Sequence, residues 1–155
     1  MDSVFIKKYA HLLLNYCMEL SAGQKLLVST TTLALPLVSE LFIQCQKMGV
    51  IMETILEWEG KSADFNEVGN EAQASYINPL YKEAMDTFEG YLVIRAPFEE
   101  SRSIGSNTSL HSIRAKANEF WHKKYFQRTA TRDLKRNLCQ YPTAAGAKLA
   151  DMTLD

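Results

Sequence analysis

Between Lys25 and Leu56 the chain reads strand, helix, strand, and at roughly 30 residues that spacing is characteristic of a right-handed parallel βαβ unit. Lys25 to Thr30 (KLLVST) is a short apolar run, too short for a helix and suited to a buried strand. Thr32 is placed to cap the next helix, and Pro36 fits its first turn. Val38, Leu41, Phe42, Cys45 and Met48 recur at helical spacing until Gly49 ends it, and Val50 to Leu56 reads as a second strand.

Flanking segments continue the alternation. Phe5, Tyr9, Leu12, Leu13, Tyr16, Cys17 and Leu20 predict an amphipathic opening helix stopped by Gly23. Residues 59–88 are polar and acidic, with one short helix expected after Ser62 and another entered through Asn78-Pro79. Gly90 opens a third buried strand, Tyr91 to Ile94, and Pro97 closes it. A long helix follows the Phe98 to Asn107 loop, with Leu110, Ile113, Ala117, Phe120, Trp121 and Tyr125 facing inward and Arg114, Lys116, Lys123 and Arg128 outward. A last strand spans Asn137 to Gln140, and an Ala-rich helix spans Ala144 to Ala150. The expected fold is α/β: an open, mostly parallel sheet of about four strands with helices on both faces, preceded by an N-terminal amphipathic helix. At 155 residues, 46% of them hydrophobic, residues 1–155 are read as a single domain.

Charge is balanced overall, at −1, but not locally. Ile51 to Glu100 holds eleven Asp/Glu against three Lys/Arg, and Asn107 to Arg136 holds eight Lys/Arg against two Asp/Glu. The two stretches are suited to attract each other or to face separate partners. Cys17, Cys45 and Cys139 are widely spaced in apolar sequence, which suits reduced core thiols and a cytoplasmic setting. No apolar run approaches the ~20 residues that span a bilayer.

Chemistry-bearing patterns are sparse. His11, His111 and His122 have neither the His-x-x-x-His nor the His-Glu-x-x-His spacing of a helical metal site. Ser103 to Asn107 lacks the second glycine of a nucleophile elbow and reads as a turn with Ser106 or Asn107 capping the long helix. Ser29 to Thr32 has no glycine for a dinucleotide loop, although hydroxyls before a helix N-terminus suit an anion. Glu53, Glu57, Glu59 and Asp64 lack the rhythm of a calcium loop and read as a solvated acidic edge. The basic helix interleaves Phe120, Trp121, Tyr125 and Phe126 with its charges, yet no nucleic-acid motif accompanies it. No catalytic, cofactor-binding or metal-binding residue is assigned.

Three stretches, in order, resemble the N-terminal domain of the aminopeptidase T and aminopeptidase S family, the thermophilic metalloproteases. They are Tyr9 to Val28, with YAHLLLNY and then Gly23 to Val28; Thr32 to Val38 (TLALPLV); and Tyr141-Pro142-Thr143 followed by Ala147, Ala150, Met152, Thr153, Leu154 and Asp155. Arg136-Asn137 depart from the pattern, standing where the family begins its last strand with an aromatic. The resemblance implies a two-domain exopeptidase that removes N-terminal residues from peptides with two divalent metal ions, Zn, Co or Mn, held by a second domain. On that reading this chain is an N-terminal domain or fragment, inactive alone, that frames or gates the active site. Its partners would be its own C-terminal catalytic domain, a second copy in a homodimer, and peptide substrates. The alternative from a different class is a stand-alone module binding an anion, a nucleotide or a nucleic acid.

Overall fold

In this computed structural model, residues 2–99 and 108–154 are described. The βαβ unit forms as the spacing requires: β1 (Lys25–Thr31), then a 3-10 turn at Thr32–Ala34, α2 (Leu35–Met48) and β2 (Ile51–Glu57). Thr32 does not cap α2; it lies inside the 3-10 turn, and the helix proper starts at Leu35 with Pro36 in its first turn. Gly49, at φ +71°, ends α2 in the left-handed conformation that a glycine adopts without a Cβ clash.

Beyond β2 come α3 (Lys61–Val68), α4 (Glu71–Ser75), α5 (Pro79–Thr87), β3 (Gly90–Arg95), α6 (Thr108–Ala130), β4 (Lys135–Gln140) and α7 (Ala144–Leu149). The short α4 was not expected from the sequence; a reciprocal capping box between Asn70 and Gln73 starts it. All strands pair in parallel in the order β2-β1-β3-β4, with Lys25 opposite Ile51, Leu26 opposite Gly90, and Gly90 opposite Lys135. The expected α/β fold with helices on both faces is what the chain adopts.

Alternation along β1 sorts the core into two faces. Leu26 and Val28 pack with Ala10, Leu13, Leu14, Leu37 and Leu41 under α1 (Ser3–His11) and α2. Leu27 points the other way, onto Ala84, Met85, Phe88 and Leu134, with Tyr81, Tyr91, Trp121 and Tyr125 around them under α5 and α6.

The opening helix does not keep the phase its sequence suggests. After His11 it widens into a π turn over Leu12–Cys17, and the Met18 N–H reaches back five residues to the Leu13 carbonyl at 3.0 Å. The extra residue rotates Met18 into the core beside Leu13 and Leu14, and leaves Leu12, Tyr16 and Cys17 exposed; Phe5, earlier in α1, is exposed as well. Cys17 is therefore not a core thiol. Phe42 and Phe120 are likewise exposed, while Arg128, expected on the outer face of α6, is partly buried against α5.

Candidate functional site

The acidic and basic stretches meet on the α5/α6 face. Lys124 of α6 pairs with Asp86 of α5, and Lys82 lies 5.5 Å from the Trp121 ring centroid. At 23 residues α6 is about 34 Å long, against ~20 Å for a six-residue strand. It packs against α4 and reaches Phe65 of α3 through Arg114, and with the carboxyl ends of β1 and β2 these elements border an open cleft of about 830 Å³.

Thr31, Ile55 and Glu57 supply the strand-end wall of this cleft, Trp58 and Phe65 another, and Tyr76 and Tyr81 a third. Arg114 and Asn118 enter from α6, and Phe98 and Glu99 from the segment after β3. Two cations lie on aromatic faces: Lys61 Nζ is 4.6 Å from the Trp58 centroid and donates to Glu57 Oε1 at 2.9 Å, and the Arg114 guanidinium carbon is 4.0 Å from the Phe65 centroid. Burial, reinforced by the nearby phenols of Tyr91 and Tyr125, pushes the Tyr81 hydroxyl up to about 12. It is a neutral wall at physiological pH.

Two of the segments at the carboxyl ends of strands contribute here, through Thr31 and through Phe98 and Glu99. Tyr141 to Thr143 does not; Thr143 instead caps α7, its hydroxyl accepting the Gly146 N–H at 3.0 Å. The anion reading of the threonines meets competition within the fold. Thr30 and Thr31 donate their hydroxyls to the Ile94 and Ala96 carbonyls at 2.8 and 2.6 Å, stapling β1 to β3.

His11, His111 and His122 lie apart on exposed helix surface, His11 beside Asn15 at 3.0 Å. Of the four acidic residues, Glu57 and Glu59 line the cleft. Among the described residues no three His, Cys, Asp or Glu side chains converge as a metal site would require, so these residues do not fit a bound ion. Ser103 to Asn107 lies outside the described residues. The cleft itself was not legible in the sequence: Trp58, Phe65, Tyr76 and Arg114 come from separate elements with no shared spacing.

The profile of the thermophilic metalloprotease (M29) family matches residues 3–154. The chain belongs to that family. Among solved structures, this chain is similar to wild-type AmpT from Thermus thermophilus, with a TM-score of 0.70 and 14% identity over 89% of this chain and 36% of that one. At that identity the likeness concerns the fold. The chain spans little more than a third of that relative's length. No curated protein sequence matches it. Among the described residues of this family member, no helix is long and apolar enough to cross a membrane.

Proposed function

We infer that this chain is the N-terminal domain of a two-domain metal-dependent aminopeptidase, in which it frames or gates a cavity completed by a separate catalytic domain. The family match over residues 3–154 is the observation that carries the reading. Support comes also from a fold shared with AmpT over only 36% of that protein's length. The expected chemistry is hydrolysis of the N-terminal peptide bond assisted by two divalent ions, Zn, Co or Mn. It belongs in this reading to the second domain, and no step is assigned to a residue of this chain. The parent is taken as a cytoplasmic homodimer acting on peptides.

The test is cleavage of a panel of amino-acid p-nitroanilides, with Co²⁺, Zn²⁺ or Mn²⁺ added, by this chain alone and by the chain joined to a second domain of the family. Metal-dependent cleavage only in the joined protein is the expected result. Cleavage by the 155-residue chain alone would place a catalytic site within it, and silence in both would remove the peptidase reading.

A further inference from the structure

The cleft over the β1 and β2 ends has the dimensions of a ligand site, since about 830 Å³ lies within the usual range for small-molecule pockets. Its charges are not equivalent. Glu57 and Lys61 pair at 2.9 Å, and the carboxylates of Glu59 and Glu99 also line the cleft. Arg114 makes no ion pair among the described residues; its guanidinium stacks on Phe65, an arrangement that fixes the plane while leaving the edge N–H donors directed outward.

Around that guanidinium stand groups of two other kinds. Trp58 and Tyr76 are more than half exposed, and they offer aromatic surface to a large side chain. Asn118 and Asn78 are each half committed, Asn118 donating from Nδ2 to the Arg114 carbonyl and Asn78 Oδ1 accepting the Leu80 N–H. Among the described residues each keeps its other end, an acceptor on Asn118 and a donor on Asn78, and those are the two groups a peptide unit needs opposite it.

We propose that this cleft binds a short peptide, with a terminal carboxylate against Arg114, its backbone against the Asn118 and Asn78 carboxamides, and a large apolar or aromatic side chain on Trp58 and Tyr76. The choice of a peptide over another amphipathic anion rests on the peptidase reading. The site holds the ligand by one charge-assisted contact and by aromatic stacking.

The experiment is a ¹⁵N-¹H NMR titration of this chain, without metal, using the tripeptide leucyl-glycyl-phenylalanine, its C-terminal amide, and phenylpropionate. Shifts should cluster on cleft residues, and the amide should bind about tenfold more weakly than the free acid. Arg114→Ala should remove that difference, and Arg114→Lys should restore only part of it, because an ammonium lacks the planar fork. A dispersed wild-type-like spectrum of each variant separates lost contact from lost fold. The proposal fails if no cleft shifts appear up to the solubility limit, if Arg114→Ala leaves the acid-to-amide ratio unchanged, or if phenylpropionate binds as tightly as the tripeptide. Binding here with no cleavage by the joined protein would leave the cleft and remove the aminopeptidase; cleavage without binding here would do the reverse.

Discussion

The Glu89 carboxylate accepts the backbone N–H of Lys25 at 2.7 Å, on a residue whose own N–H donates to the Lys25 carbonyl at 3.2 Å and whose carbonyl accepts the Lys135 N–H at 2.7 Å. One acidic residue thus fastens the lower ends of β1, β3 and β4. Glu89→Ala leaves the Lys25 N–H without its partner in a part-buried place and should cost about 1–3 kcal/mol. Urea denaturation reads this directly, and a loss within the ~0.5 kcal/mol typical of surface substitutions would contradict it.

The Arg128 guanidinium donates to the Met85 carbonyl at 3.0 Å and to the Asp133 carbonyl at 3.1 Å, joining the last turn of α5 to the turn before β4. Positive charge at a helix C-terminus is favourable, and here it comes with fixed hydrogen bonds. Arg128→Ala should lower stability by about 1–3 kcal/mol. Arg128→Lys should recover less than half of that, since one ammonium does not span both carbonyls. Full recovery in thermal melts would mean that charge alone matters.

Alkaline pH should unfold the protein in a defined window. Burial pushes the Cys45 thiol from 9.0 up to about 11, and burial with neighbouring phenols pushes Tyr81 from 10.0 up to about 12. Both groups ionise more readily in the unfolded chain, so stability is full below about pH 9 and is lost as pH rises through the folded values toward 12. Tyr81→Phe should make that loss shallower in urea midpoints. An unchanged slope would mean that Tyr81 does not contribute.

Thiol reagents should distinguish the three cysteines. Cys17 is exposed, Cys45 is buried, and Cys139 is half-buried beside Tyr9. One fast equivalent of Ellman's reagent is expected, abolished in Cys17→Ser, with Cys45 reacting only on unfolding. A fast phase that survives Cys17→Ser would contradict the π turn that turns this residue outward.

β1, β2 and β3 were legible because they are apolar runs entered at Gly23, Gly49 and Gly90, and a run needs no correct phase to be recognised, whereas β4 (KRNLCQ) offered only its Leu138-Cys139 pair. Phase is what failed in the helices. Spacing at 3.6 residues put Cys17 inside, but the Met18 to Leu13 hydrogen bond inserts one residue into the turn and exchanges Cys17 for Met18. In α6, Phe120 adjoins the inward stripe but lies exposed beside Trp121, their ring centroids 5.0 Å apart. The cleft was hidden for another reason: Arg114 reads as an ordinary outer-face cation until the fold brings Phe65, 49 positions earlier, beneath it.

Placing β1 at the centre of the sheet also sets a timetable for the nascent chain. Its β2 side is closed by the adjoining βαβ unit, but its β3 side stays an open edge until Arg95 has been made, 64 residues after Thr31. At 5–20 residues per second that interval is roughly 3–13 s. During it the apolar Leu26-Leu27-Val28 segment presents unpaired backbone groups to any passing strand, so this protein's greatest exposure to aggregation comes during its synthesis, before the staples of Thr30 and Thr31 have carbonyls to close on.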